Sequence, residues 1–285
     1  MKLLFCTDGS DVSLTSLYNA SKFIKDATVD IICVIDWSFL PESMSIDEAN
    51  YSKVYENIAD SVLIFAENAV KEKGLVVGDK IKSFGSPVEG ILEQLEKEKY
   101  DLILLGSHGK KGIQKWLGSV SRHVISNITV PTFISRKKTK NKKVLFTTDG
   151  SEHSYHAIKE SIELFDLKDK ELYIVSVKEN PELLPIEASL DVNWIETIDK
   201  QQRIHAAKSI NKVKSILEKA ELRIHTEIIL TGSPAQKIIE FVEKEEVDLI
   251  IMGARSKVNL STFLLGSVSK RVLENVHSGV VIIKN

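Results

Sequence analysis

Glycines and small polar residues that follow an apolar run are the part of this sequence best suited to hold an anion. Residues 102–105 are apolar, Gly106 and Gly109 follow them, and Gly118 and Ser119 open a new apolar-periodic segment. Glycine lets backbone N–H groups approach a phosphate, and a helix start adds unpaired N–H donors and the positive end of the helix dipole. The spacing fits neither a P-loop nor a dinucleotide-binding G-x-G-x-x-G motif. The pattern therefore predicts an anion cradle of another kind, with the Ser119 hydroxyl as a further donor.

The segments around this cradle occur twice in the chain, with a period of about 141 to 148 residues. Three blocks return in the same order: KLLFCTDGSDVS as KVLFTTDGSEHS, FGSPVEGILEQLEKEKYDLILLG as TGSPAQKIIEFVEKEEVDLIIMG, and LGSVSRHVI as LGSVSKRVL. A period of this length is too long for a solenoid repeat, so each copy is predicted to be a domain. The predicted division is a first domain at residues 1–135, a basic linker at 136–143 and a second domain at 144–285.

Composition and charge narrow the class of protein. The chain has 285 residues, of which 43% are hydrophobic and 27% charged, and its net charge is −2. These values are typical of soluble globular domains and give no general attraction to nucleic acid. No run reaches the roughly 18 apolar residues that a membrane span needs. The linker RKKTKNKK contains no aromatic residue of the kind that nucleic-acid sites use, so it is interpreted as a solvated connection.

The two cysteines, Cys6 and Cys33, lie in apolar strand-like runs and are interpreted as buried thiols. So few cysteines do not predict a disulfide framework, and a reducing cytoplasm is the expected location. Asp8 interrupts the N-terminal apolar run too early for a signal peptide. No H-E-x-x-H or C-x-x-C spacing occurs, so no dedicated metal site is predicted.

Each copy alternates short apolar strands with amphipathic helices, which predicts a five-stranded parallel sheet covered on both faces. Ligands of such doubly wound α/β sheets bind beyond the carboxyl ends of the strands, where the winding direction reverses. Asp8 follows the first strand, and the glycine loop follows the fourth. If these two strands are neighbours, Asp8 and the glycine loop face one crevice.

The T-D-G-S loop, the G-S-P helix start, the D-L-I-x-x-G strand and the G-S-V-S helix together resemble the universal stress protein family in its tandem form. The resemblance implies two tandem doubly wound five-stranded parallel sheets of the α/β class, with strand order 3-2-1-4-5. It also implies that the last strands pair, so that the halves form a pseudo-two-fold dimer within one chain. The implied ligand is an adenine nucleotide such as ATP or AMP, with Mg²⁺ accompanying a triphosphate. The implied role is that of a stress-response sensor or switch with an unidentified protein partner and a capacity to form homodimers, without nucleic acid or membrane contacts.

The family signature G-x2-G-x9-G-[ST] carries the binding positions over to this chain. In the first half, the implied nucleotide-binding residues are Thr7, Asp8, Val34, Gly106, His108, Gly109, Gly118, Ser119 and Val120. In the second half, they are Asp149, Val177, Gly253, Gly266, Ser267 and Val268. By this resemblance, the aspartates contact ribose or adenine, the valines at the end of the second strand contact adenine, and the glycine loops hold the phosphates.

Each half departs from the signature once. The first half has eight residues instead of nine in its second spacer, and the second half has Ser256 where the second glycine is expected. The serine Cβ is the more disruptive change in a loop that approaches phosphate closely, so the first half is expected to be the main site. The sequence shows no obvious general base beside the loop and no nucleophile–base pair, so catalysis is not predicted. The alternatives are a nucleotide-free interaction module and a slow ATPase.

Overall fold

The computed structural model describes residues 1–36, 48–107, 117–140, 142–179, 192–254 and 265–285. Strands and helices alternate through both halves. The elements are β1 (Lys2–Cys6), α1 (Asp11–Ala20), β2 (Thr28–Ile35), α2 (Glu48–Glu72), β3 (Val76–Phe84), α3 (Pro87–Lys97), β4 (Leu102–Gly106), α4 (Ser119–Asn127), β5 (Thr132–Ser135), β6 (Lys143–Thr147), α5 (Glu152–Leu164), β7 (Glu171–Lys178), α6 (Val192–Lys219), β8 (Ile224–Thr231), α7 (Pro234–Glu245), β9 (Leu249–Ala254), α8 (Ser267–Asn275) and β10 (Gly279–Lys284).

The ten strands found in the described ranges form one sheet in the order β3-β2-β1-β4-β5-β10-β9-β6-β7-β8. Each half is parallel and follows the order 3-2-1-4-5, so the predicted fold class is confirmed. The last strands of the two halves, β5 and β10, pair antiparallel, with Ile134 opposite Val280. The two tandem sheets are therefore joined edge to edge, as the family resemblance implied.

The central strands are apolar on both faces because helices cover the sheet on both sides. Alternate residues of β1 enter opposite layers, with Phe5 in one core cluster and Leu4 in the other. The outer strands β3 and β8 alternate between exposed and partly buried residues, as expected for the edges of a sheet. Each cluster contains residues of both halves, for example Phe133 and Val281 in the first of them. The hydrophobic core is thus continuous across the β5–β10 seam.

Two cations at equivalent positions of the halves connect them reciprocally. Arg136, which follows β5, donates to the carbonyls of Leu273 and Glu274 at 3.2 and 2.6 Å near the end of α8. Lys284, at the end of β10, donates to the Ile128 carbonyl at 2.9 Å just beyond α4. Cations at a helix C-terminus satisfy carbonyls that have no partner in the helix and oppose the helix dipole. Burial lowers the pKa of both side chains, that of Lys284 to about 8.

Helix α1 is shorter than its sequence pattern predicts. The sequence pattern predicts a helix to about residue 25, whereas α1 ends at Ala20. The N–H of Phe23 bonds to the Ala20 carbonyl in a tighter turn at 2.9 Å, and the Phe23 carbonyl accepts from the N–H of Asp166 in the second half at 2.6 Å. The Phe23 ring is fully buried. Packing between the halves therefore ends the helix before its sequence pattern does.

The basic segment after β5 lies against α1. The Asn19 side chain donates to the Lys137 carbonyl at 2.7 Å and accepts from the N–H of Thr139 at 3.1 Å. The side chains of Lys137, Lys138 and Lys140 are exposed. The backbone of this segment is nevertheless held in place by hydrogen bonds.

Candidate functional site

In both halves, the T-D-G-S loop and the glycine loop lie together where the winding of the sheet reverses. The strands β1 and β4 are neighbours, with Cys6 beside Leu105, and β6 and β9 are neighbours in the same way, with Phe146 beside Ile251. The T-D-G-S loop begins where β1 or β6 ends, and the glycine loop follows β4 or β9. Because parallel strands end at the same edge, the adjacency that the sequence could not show is present in each half.

A hydrogen-bonded turn shapes the T-D-G-S loop of the first half. The Thr7 hydroxyl accepts from the N–H of Gly9 at 3.0 Å and bonds the Ser13 hydroxyl at 2.8 Å. The Asp8 carboxylate accepts from the N–H of Ser10 at 3.0 Å. Gly9 has φ +75°, which favours glycine. Thr7 and Asp8 therefore brace the turn before α1, a structural role that is independent of any ligand.

The same turn recurs in the second half, where α6 also contacts it. Thr148 accepts from the N–H of Gly150 at 3.1 Å. The ring of His205 on α6 donates through Nε2 to the Asp149 carbonyl at 3.0 Å. Gly150 has φ +80°, and a Cβ there would lie 2.4 Å from the Ser209 hydroxyl oxygen. The positive φ and these close contacts both favour glycine in this turn beneath α6.

Asp149 is held in its charged form. Burial by itself raises the pKa of this carboxyl group, but hydrogen bonds from Ser151 outweigh that effect and hold the pKa of Asp149 below its usual value. The Ser151 N–H and hydroxyl both donate to Oδ1, at 3.0 and 2.5 Å. At neutral pH Asp149 is therefore a carboxylate that accepts hydrogen bonds and repels anions.

The helices that follow the glycine loops start without a side-chain cap. Ser10 and Ser151 cap α1 and α5, whereas α4 and α8 begin after Gly118 and Gly266, and neither has a side-chain cap hydrogen bond. Among the described residues, a Cβ on Gly266 would meet nothing nearer than the Ser269 hydroxyl oxygen at 4.0 Å. Uncapped N–H groups at a helix start favour an anion, and no packing against the described part of the chain requires glycine at this position.

The glycines at the ends of β4 and β9 are needed for packing. A Cβ on Gly106 would lie 3.1 Å from the backbone of Ser13, and a Cβ on Gly253 would lie 2.6 Å from the carbonyl oxygen of His153. Each glycine therefore lets the first helix of its half pass close to the sheet. The phosphate contact that the family resemblance implies for them is a separate prediction.

Sequence reasoning missed two positioning residues. Ser121 donates to the Gly106 carbonyl at 2.6 Å, and Ser269 donates to the Gly253 carbonyl at 3.1 Å. Each bond ties the helix start to the strand end across the glycine loop. The last serine of the repeated G-S-V-S block was the signal that could have identified them.

A cavity of about 380 Å³ lies in the second half at this edge of the sheet. Its volume is within the range of small-molecule sites. Its apolar wall includes Val175, Ile238 and Met252. All the second-half residues that the family signature selects line this one cavity: Asp149, Val177, Gly253, Gly266, Ser267 and Val268. Their contacts with a nucleotide stay a prediction.

In the first half, the described site residues occupy equivalent places. Thr7 and Asp8 follow β1, Val34 lies near the end of β2, Gly106 ends β4, and Ser119 begins α4 with Val120 next to it and Gly118 before it. The Gly118 N–H donates to the Ser107 carbonyl at 2.7 Å, which brings the two ends of the glycine loop together. His108 and Gly109, and Ser256 of the second half, lie outside the described residues.

Other chemistry is limited in the part of the chain that the structure describes. Cys6 and Cys33 are both buried and are not joined in a disulfide, and burial raises the pKa of Cys6. Among the described ranges, no group of three or more His, Cys, Asp or Glu residues is placed to hold a metal ion. None of the helices within those ranges has the length and apolar character to cross a membrane.

Comparison with known proteins agrees with this architecture. The model of the universal stress protein family matches residues 1–136 and again 140–284. The chain therefore belongs to the universal stress protein family, and it carries the family domain twice.

Two relatives and one solved structure illustrate the similarity. Universal stress protein MJ0531 of Methanocaldococcus jannaschii is 39% identical over 145 residues, which are 50% of this chain and 82% of the relative. Universal stress protein Slr1230 of Synechocystis is 25% identical, and the match covers 95% of both chains. A universal stress protein structure from Archaeoglobus fulgidus has a TM-score of 0.69 at 21% identity and covers 99% of this chain and 98% of its own. This last likeness supports the fold of the whole chain.

Proposed function

We propose that this universal stress protein binds an adenine nucleotide, ATP or AMP, in the crevice beyond β1 and β4 and in its counterpart beyond β6 and β9. The observation that carries the proposal is the second-half cavity, which is lined by every residue that the family signature selects there. The binding would make the protein a nucleotide-dependent sensor or switch.

The charges around the cavity orient the ligand. The uncapped start of α8 and the exposed Ser267 hydroxyl offer donors to phosphate oxygens. Asp149 repels phosphate but accepts hydrogen bonds from ribose hydroxyl groups, since it is charged at neutral pH. The phosphates are therefore expected at α8 and the ribose at Asp149.

The apolar wall suits the base. Val175 and Val177 of β7 lie on the far side of β6 from β9, and together with Ile238 and Met252 they line the cavity. Burial of an adenine ring against aliphatic side chains is favourable, whereas a free phosphate or a sugar phosphate would make no apolar contact with this wall. A Mg²⁺ that accompanies a triphosphate would take its ligands largely from the phosphates and water.

The relative affinity of the two halves for the nucleotide follows from their two departures from the family signature. The glycine that Ser256 replaces in the second half is retained as Gly109 in the first. We rank the first half as the stronger site, because a shortened surface loop is usually easier to accommodate than a side chain in a phosphate loop.

Calorimetric titration of the full chain with ATP and with AMP tests the proposal. Matched variants separate the halves: Gly118→Val fills the helix start of the first half, and Gly266→Val fills that of the second. The backbone at both positions is compatible with valine, at φ −60° and φ −58°. We expect binding in the wild type, a larger loss in Gly118→Val than in Gly266→Val, and no binding of AMP when both are present. Absence of heat at about millimolar nucleotide would instead support a nucleotide-free interaction module.

A further inference from the structure

Three lysines converge on one tyrosine ring where the two halves meet. The ammonium nitrogens of Lys22, Lys73 and Lys138 lie 4.6, 4.6 and 4.9 Å from the ring centroid of Tyr18. They come from the end of α1, the turn after α2 and the segment after β5. No two of these nitrogens can be more than about 10 Å apart, which is one Debye length at 0.1 M salt. We call this group, together with Tyr18, the Tyr18 cluster.

Within the described part of the chain, the positive charge of the Tyr18 cluster is not balanced by carboxylates in ion pairs. The ion pairs found among the described residues include none of its three lysines. Lys22 donates instead to the Thr139 carbonyl. Burial lowers the pKa of Lys22, the charge of Asp248 opposes this, and the charge of Lys73 adds to it. Convergence of like charges costs free energy, which an anion bound between them would recover.

The fold itself does not require this arrangement. Both halves share the same element order and sheet topology. In the second half, the positions matching Tyr18 and Lys22 are occupied by Lys159 and Glu163, so the ring and one of the cations are lost. The cluster is a feature of the first half alone, formed where the basic segment between the halves crosses α1.

We infer that the Tyr18 cluster binds a compact anion that carries several phosphate groups, such as an inorganic oligophosphate or the phosphate chain of a nucleotide. Three ammonium donors within this span match several phosphate oxygens at once. Lys137 and Lys140, exposed on the same segment, add a positive field around the cluster. A long nucleic acid is disfavoured, because the chain as a whole is negatively charged, with a net charge of −2.

Inorganic tripolyphosphate is the probe for this inference, because it has no base or ribose. Titration of the full chain compares the wild type with Lys73→Gln/Lys138→Gln and with the control Lys137→Gln/Lys140→Gln. Both double variants remove two charges, and the control removes them from the same basic segment without touching the tyrosine. We expect tripolyphosphate binding to weaken about tenfold or more in the first variant and less than about threefold in the control. Thermal unfolding should show that both variants remain folded.

Further titrations identify the source of the phosphates, and some of their outcomes would overturn the inference. If Lys73→Gln/Lys138→Gln weakens tripolyphosphate but not ATP, the ligand is a free oligophosphate, and if it weakens both, the ligand includes the phosphate chain of a nucleotide. Equal losses in the two double variants would overturn the inference, since the charge would then act diffusely. No binding to the wild type, or binding of single-stranded DNA in preference to tripolyphosphate at equal phosphate concentration, would overturn it as well. The ATP comparison is made in the Gly118→Val/Gly266→Val background, so that binding in the crevices proposed for adenine does not contribute to it.

Discussion

Replacing Gly266 by serine should strengthen the fold and weaken nucleotide binding at the same time. The helix α8 begins after Gly266, whose backbone has φ −58° and ψ 150°, and it has no side-chain cap hydrogen bond. Ser151, which does cap its helix, has φ −79° and ψ 155°. Within the described ranges, a Cβ on Gly266 would approach no atom closer than 4.0 Å. A serine can therefore enter without strain and cap α8 as Ser151 caps α5.

The expected magnitudes have opposite signs. A serine cap in place of glycine stabilises a helix by a few tenths of a kcal/mol. The same hydroxyl occupies an N–H donor that the proposal assigns to phosphate, and a hydrogen bond to a charged group is worth ~1.5–3 kcal/mol. Nucleotide binding in the second half should therefore weaken roughly 10- to 100-fold.

Urea unfolding and calorimetric titration with AMP measure the two effects on one preparation. Gly118→Ser is the matched control in the first half, where the helix start is also uncapped, at φ −60° and ψ 154°. It should give the same gain in stability and weaken binding in the first half only. Two results would refute the reasoning about the open helix start. One is a Gly266→Ser protein that is less stable than the wild type, and the other is AMP binding in its second half as tight as in the wild type.

Three further predictions concern the packing around the site and between the halves. Gly253→Ala should lower the free energy of unfolding by ~1–3 kcal/mol, because its Cβ would lie 2.6 Å from a backbone oxygen, and unchanged urea unfolding would contradict this. Ser121→Ala should cost ~1 kcal/mol through loss of its 2.6 Å bond to the strand end, whereas an equal cost for the exposed Ser119→Ala would indicate a general effect of the helix start. Lys284 has its pKa lowered from 10.5 to about 8, so the folded state binds this proton less tightly than the unfolded state. Its penalty is fully present below pH ~8 and is relieved as the pH rises to ~10.5, so the stability of wild type relative to Lys284→Met should rise by ~1–3 kcal/mol over that range. A flat difference in urea unfolding would contradict this burial.

The repeated blocks predicted the architecture well because they contain strong local signals. The apolar strands, the T-D-G-S turn and the G-S-V-S helix start recur in order, and the family resemblance implied both the strand order and the pairing of the last strands. In the second half, the same signals selected residues that line one cavity, including Asp149 and Ser267. Such residues follow directly from the ends of strands and the starts of helices.

What the sequence could not predict depends on contacts between distant segments. The early end of α1 follows from the bond of Phe23 to Asp166 in the other half. The packing role of Gly253 follows from the path of α5 beside β9, which no local pattern encodes. The linker itself contains no aromatic residue, yet the fold brings Tyr18 to it from α1.

Equilibrium binding of ATP and AMP to the full chain, read as the number of nucleotides bound per chain by native mass spectrometry, tests the central claim most directly. We expect adenine nucleotide bound in the wild type, with one AMP adduct lost in Gly118→Val, one lost in Gly266→Val and no AMP adduct remaining when both are present. A wild-type chain that binds no nucleotide at about millimolar concentration, or AMP adducts that persist in the double variant, would contradict the proposed crevice sites.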